Sequence, residues 1–368
     1  VLILVLNCGS ATVKYKLFRR DGGLFEVLDG GTVEVQGDHG RTIAELLPKL
    51  PARPEVVAHR VVHGGDVFRE PVLVDEKVLD RLERLSDLAP LHNPPALAGI
   101  EAARRLDVPQ VACFDTMFHR TLPEHAWRYA IPDSVAGPYR LRRYGFHGIS
   151  YQYVTARYAE ITGNPKPTIV ILHLGNGASA AAVRQGRSVD TSMGVTPLEG
   201  LVMGTRGGDL DPGIVLELQR RGMSLEEVER LLWHGSGLFG LTGTRDVREL
   251  LARRDERARL ALEIACYRAR KYVGAYLAAL GGAEAIVFTG GIGERSPEIR
   301  RRILEPLAFL GVELDEKANG GNALCVTTAA SRIAAYVIPT DEELEMAKMA
   351  AEAVRSARAW ASGAARSD

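Results

Sequence analysis

The chain has 368 residues, 46% hydrophobic and 25% charged, enough for two domains with a core each. Basic and acidic residues both number 46, and no Lys/Arg run marks a nucleic-acid or membrane surface, so neither partner is expected. Cys8, Cys113, Cys266 and Cys325 stand apart, with no C-x-x-C or zinc spacing; the first strand carries no basic leader, and no apolar run approaches a bilayer span. A cytoplasmic protein with reduced thiols is the expectation.

Strand-like runs recur at 2–6, 13–18, 56–62, 110–114, 168–174, 285–289 and 333–338. Helical patterns lie at 76–87, 95–106, 150–161, 212–221, 225–232, 257–280, 297–309 and 342–358, an alternation that argues an α/β fold. The helix at 297 opens on Ser296 as N-cap with Pro297 and Glu298 in its first turn, and Thr340-Asp341-Glu342-Glu343 reads as a capping box. The loop-rich stretch 118–150 marks the domain change. Residues 1–117, completed by 344–368, would form one domain, and 118–343 the domain with the nucleotide site.

Two stretches share one design. Leu2–Leu6 runs into Asn7-Cys8-Gly9-Ser10-Ala11-Thr12-Val13-Lys14, and Ile169–Leu174 into Gly175-Asn176-Gly177-Ala178-Ser179-Ala180. Each reads as a buried strand turning through a hairpin whose small residues let backbone N–H groups approach a phosphate. Two such turns suggest a duplicated fold that grips a polyphosphate. The second mimics a dinucleotide G-x-G-x-x-A, but Arg184-Gln185-Gly186-Arg187 signals a turn where a Rossmann unit needs a helix. No G-x-x-x-x-G-K-[ST] occurs, which removes the Walker-type nucleotidases.

Other segments hold isolated chemical groups. Phe288-Thr289-Gly290-Gly291-Ile292-Gly293-Glu294-Arg295 reads as a strand ending in a triple-glycine turn, either a tight connection or a platform for a base and sugar. Arg60, in His59-Arg60-Val61-Val62-His63-Gly64-Gly65, and Arg206, in Gly204-Thr205-Arg206-Gly207-Gly208-Asp209, are framed by small residues. Such an Arg is placed to fork onto a carboxylate or phosphate, though a lone Arg is more often a surface cation. Asp115 sits where a strand ends, the usual ligand position in an open α/β sheet. His147, in Arg143-Tyr144-Gly145-Phe146-His147-Gly148, fits a satisfied core histidine as well as a ligand, and Glu342 alone is explained by the helix dipole.

Together these motifs resemble the acetate kinase family, within the superfamily of acetate and sugar kinases, heat-shock ATPases and actin. The resemblance runs over nearly the whole chain, adding Ala89-Pro90-Leu91-His92-Asn93-Pro94-Pro95, Asp246-Val247-Arg248 and Pro339-Thr340-Asp341-Glu342-Glu343 to the segments above. It implies a two-domain actin-like ATPase fold with a duplicated ribonuclease-H-like core. The activity it implies is reversible Mg²⁺-dependent (or Mn²⁺-dependent) phosphoryl transfer from ATP to acetate, with propionate or another short-chain carboxylate as the alternative acceptor. It implies Asn7 and Glu342 at the metal, Arg60 on the substrate carboxylate, and Val62, Leu91, Phe146 and Pro197 around its methyl group. Asp115 would be the catalytic acid or a metal ligand, and His147 and Arg206 would stabilise the transition state. ATP would be met by Lys14, His173, Leu174, Gly175, Asn176, Gly177, Asp246, Val247, Arg248, Gly291, Ile292, Gly293, Glu294 and Arg295, and the protein would be a homodimer. The chain departs from the family at Ser10-Ala11-Thr12, at Ile149 and Tyr151, and at Arg295, and it is shorter ahead of Arg60.

Overall fold

The computed structural model describes residues 1–9, 11–35, 37–86, 89 and 93–364. It divides into two compact units. One comprises residues 1–120, 148–153 and the chain from Asp341 onward; the other comprises 121–147 and 154–340.

In the first unit β1 (Leu2–Cys8), β2 (Thr12–Asp21) and β3 (Leu24–Glu34) form an antiparallel meander. β4 (Val56–Val61) and β6 (Gln110–Phe114) continue it in parallel, and β5 (Val72–Leu73) closes the edge, in the order β3-β2-β1-β4-β6-β5. Successive side chains of a strand point to opposite faces. Ile3 and Val5 therefore join one cluster with Met346, Ala347 and Ala350 of the helix Glu342–Ala364. Leu4 and Leu6 join the other with Ile43 and Leu46 of the helix His39–Leu46. Burial on both faces is why β1 reads as an unbroken apolar run rather than an alternating one.

The second unit repeats the plan. β7 (Ile169–Leu174), β8 (Ala178–Arg184) and β9 (Arg187–Thr191) form the antiparallel meander, and β10 (Ala285–Thr289) and β11 (Ala334–Val337) extend it in parallel, in the order β11-β10-β7-β8-β9. The correspondence β1-β2-β3-β4-β6 to β7-β8-β9-β10-β11 is the duplicated ribonuclease-H-like core. Both hairpins turn where the glycines stand. The helix Glu256–Leu280 packs on β7 and β8; Asp255 caps its start by accepting from the Ala258 N–H, and Gly281 ends it at φ 71°.

Three expectations need correction. The segment 290–295 is a short helix, Gly290–Arg295, because the Glu294 carboxylate folds back to accept from the Gly290 N–H at 3.0 Å. The last helix is capped by Asp341, which accepts from the Leu344 N–H at 3.0 Å, and not by Thr340. Strand β3 was hidden because it is a mostly exposed edge carrying Gly30 and Gly31, a composition that reads as loop.

Candidate functional site

In the first unit three parallel strands set up a row of polar groups. β1, β4 and β6 lie side by side, with Leu6 beside His59 and Arg60 beside Cys113. Asn7, Arg60 and Asp115 consequently emerge together at the carboxyl ends, where open α/β sheets bind ligands. Arg60 donates from Nε and Nη2 to the two oxygens of Asp115, at 3.0 and 2.6 Å, and from Nη1 to Asn7 Oδ1 at 3.2 Å. Asp115 is only 1% exposed, whereas the Arg60 side chain is 21% exposed and keeps an edge toward solvent. Burial alone would weaken the guanidinium's hold on its proton, but Asp115 and then Glu342 more than reverse that and push its pKa up.

Glu342 opens the last helix beside this pair. Burial, opposed by Arg60 but reinforced by Asp115 and Glu343, raises its carboxyl to about 7. Lys16 of β2 holds the helix start through Asp341 at 3.0 Å and Glu343 at 3.3 Å, a support the sequence reading missed. Lys14 stands opposite Asn7 in the ladder.

The oxygens of Asn7, Asp115 and Glu342 are hard donors suited to Mg²⁺, and a divalent cation would relieve the repulsion that burdens Glu342. Among the described residues no cluster of three His, Cys, Asp or Glu side chains could hold a metal by itself. Val62 lies just past β4 in this unit; Leu91 lies outside the described residues.

In the second unit the Gly175-Asn176-Gly177 turn joins β7 to β8, and the register puts His173 opposite Ser179. His147, at φ 58°, stacks on His173 with ring centroids 4.2 Å apart, and its Nδ1 lies 2.8 Å from Ser179 Oγ. Arg206 is steered by the Pro197 carbonyl, which accepts from Nη1 at 2.8 Å. A Cβ placed on Gly177 would lie 2.9 Å from Arg206 Nη2 and 3.5 Å from His147 Nε2, so both groups converge on the turn and a larger residue there would make the guanidinium shift. Among the described residues no carboxylate pairs with Arg206, and burial lowers its pKa to about 10. A half-buried cation that no described carboxylate pairs, beside a glycine turn, is chemically suited to receive an anion.

Leu174, Gly175, Val247 and Ile292 line one apolar cavity of about 50 Å³ in this unit. Gly290, at φ 76°, lets the short helix press on the Leu174 carbonyl, where a Cβ would come within 2.7 Å. Gly291 faces open space, and Arg295 is exposed. Asp246 caps the helix Val247–Ala252 and pairs with Arg248 at 2.7 Å; the Arg248 side chain is 91% exposed. Phe146 is buried in this same unit. Arg300, wholly buried, donates to the carbonyls of Gly293 and Glu294 and to Asn319 and Asn322, fixing the short helix from behind. Ser179 and Arg300 escaped notice in the sequence. Ser179 was findable by counting across the turn from His173, whereas Arg300 sits in a run of three arginines with nothing to single it out.

A twofold-repeated ribonuclease-H-like fold, with cations and glycine turns at its strand ends, is the architecture of a phosphotransferase of the acetate and sugar kinase superfamily. The Acetokinase family model matches residues 41–348, and the chain belongs to that family. It is 48% identical to an acetate kinase from Arthrobacter sp. (strain FB24), over 97% of this chain and all of that one. It is also 48% identical to an acetate kinase from Streptomyces coelicolor, over 94% and 95%. Among solved structures it resembles a Porphyromonas gingivalis acetate kinase (TM-score 0.88, 37% identity, covering 96% of this chain and 99% of that one). It is similar as well to a propionate kinase from Francisella tularensis (TM-score 0.89, 36% identity, 95% and 99%).

Proposed function

We propose that the chain is an acetate kinase that transfers the γ-phosphoryl group of ATP reversibly to acetate, giving acetyl phosphate and ADP. An acetate oxygen forms the new P–O bond while the bond to the ADP oxygen breaks. The acceptor is already ionised at neutral pH, so no base is needed to create the nucleophile. The barrier is the approach of an anion to a polyanion, and catalysis reduces to positioning and charge neutralisation. The half-buried guanidinium of Arg206 over the Gly177 turn, paired with no carboxylate among the described residues, is the observation that carries this reading, since it offers charge where phosphoryl oxygens would lie.

The roles proposed are those that membership of the family implies, read through each group's chemistry. Arg206 and His147 donate to the phosphoryl oxygens in flight. Arg60 holds the substrate carboxylate by its exposed edge, and Asp115 orients that guanidinium. Asn7 and Glu342, with Asp115, hold Mg²⁺, which when bound neutralises phosphate charge. Lys14 supports the ATP phosphates, His173, Asn176 and Gly177 form their turn, and Leu174, Gly175, Val247 and Ile292 form an apolar wall for the nucleoside. Asp246, Arg248, Gly291, Gly293, Glu294 and Arg295 frame that wall; Glu294 does so by tying Gly290 and Thr340 together. For the acceptor's alkyl group the family resemblance points to Val62, Leu91, Phe146 and Pro197. The domains assigned from sequence, 1–117 with 344–368 and 118–343, divide these tasks.

The decisive assay traps product with hydroxylamine. Acetohydroxamate formed from ATP and acetate supports the proposal; ADP release that ignores acetate would reject it in favour of a plain ATPase. A second reading, propionate as preferred acceptor, draws on the Francisella tularensis relative and is judged by kcat/KM for the two acids. We further infer a cytoplasmic homodimer. Supporting it, no helix among the described residues could cross a membrane, and the helix Pro212–Arg220 buries none of its residues while exposing Ile214 and Leu216. Light scattering gives the mass directly.

A further inference from the structure

We propose that Ser179 is a positioning residue for the transfer step: its hydroxyl donates to Nδ1 of His147 and selects the tautomer whose N–H, at Nε2, is turned toward the glycine loop. The inference rests on the reading that this loop cradles the phosphoryl group in transfer. Its observations are geometric. Ser179 is completely buried on β8 and its Oγ is 2.8 Å from His147 Nδ1. His147 Nε2, on the opposite side of the ring, lies 3.5 Å from the position a Gly177 Cβ would take, and Arg206 Nη2 lies 2.9 Å from that same point.

Phosphoryl oxygens only accept hydrogen bonds, so Nε2 is useful there only when it carries a proton. A neutral ring that is protonated at Nε2 must accept at Nδ1, and the hydroxyl of Ser179 is the donor within reach. Among the titratable groups that face the ring are Arg206, across the turn, and His173, stacked on its face. Stacking on His173 restrains the tilt of the ring but permits rotation within its plane. The hydrogen bond at Nδ1 distinguishes the two edges and so bears on which of them faces the turn. Ser179 therefore sets both the tautomer and the direction of a donor that it never shares with substrate.

The test is ¹⁵N NMR of the histidine rings in the intact chain, with His147 assigned by comparison with His147→Gln. The wild type should show a single Nε2–H tautomer at neutral pH; an Nδ1–H tautomer would overturn the proposal without any Ser179 variant. Ser179→Ala should show mixed tautomers and lose about 10–100-fold in kcat, the scale seen when the orienting partner of a functional histidine is removed. KM for ATP and acetate should stay within about threefold, because ground-state binding is untouched. Ser179→Thr, which keeps the hydroxyl, should restore the tautomer and most of the rate. A fully active Ser179→Ala overturns the assignment. If Ser179→Ala fails to fold, the wild-type spectrum decides. A wild type that makes no acetyl phosphate sinks the proposed function instead, an outcome distinct from a wrong tautomer in an active enzyme.

Discussion

Arg60 and Arg206 occupy comparable positions in chemistry and opposite ones in electrostatics. Arg60 forks onto a buried carboxylate and is held charged by it, whereas Arg206 is half-buried with a backbone carbonyl and an aromatic face, Trp233 at 5.9 Å, for company. A paired cation is stable and has part of its field already spent on its partner. An unpaired one is costly to fold but gives its whole field to an incoming anion. Each half of the duplicated fold thus shows one of two ways to keep an arginine for work.

The contrast breaks most visibly at Arg206. Arg206→Ala should lower turnover by about 10³–10⁵, the range for arginines that face a transferring phosphoryl group. Its stability should hold or rise, since an uncompensated charge is removed; steady-state kinetics beside urea unfolding measures both. A loss below tenfold in a folded variant would end the transition-state role. Arg60→Ala should do the reverse and destabilise by about 3–5 kcal/mol, because Asp115 stays buried without its partner. Arg60→Leu combined with Asp115→Leu should recover much of that loss, and a double variant no better than the single one would show that the pair is not the cause.

A smaller effect sits on the same strand. Burial, opposed by Gln110, holds the His59 imidazole down to about 4. Between pH 6.5 and 4 the unfolded chain takes up a proton that the folded chain refuses, so this group makes stability fall as pH drops through that window. His59→Leu should flatten the fall by on the order of 2–3 kcal/mol near pH 4, read from melting curves across pH. An unchanged slope would place the acid sensitivity elsewhere. The smallest expected effect is at Val62. One methylene discriminates by about 1–3 kcal/mol, or about 10–200-fold, so Val62→Ala should narrow the kcat/KM preference for acetate over propionate by no more than that. An unmoved ratio would remove Val62 from the acceptor pocket.

Local signals made most of the scaffold legible. The apolar runs at 2–6 and 169–174 are buried on both faces, and the glycines behind them turn both hairpins, so pattern and packing agree. Gly290–Arg295 misled because three glycines suggest a turn, while the deciding bond, from Gly290 N–H to the Glu294 carboxylate, lies in a side chain. The Thr340 cap failed by one residue for a similar reason, with Asp341 the stronger competitor for the same N–H groups. At the candidate site, Arg60 and Asp115 could each be singled out, but their pairing spans 55 residues of chain and exists only once β4 and β6 are side by side. Ser179 looked like a turn residue until register placed it across from His173.

Arg300 has a consequence for how this chain can drift. Its guanidinium meets acceptors on every side, with Nε on Asn319 Oδ1, Nη1 on Gly293 and Glu294, and Nη2 on Asn319 and Asn322. A lysine would bring three donors on a point charge and leave carbonyls behind the nucleotide wall unmet. The substitution that is mildest on most surfaces is therefore barred at this one, and a scan of all twenty residues should return arginine alone. Survival of lysine at full thermal stability would mean that the network tolerates gaps the geometry forbids.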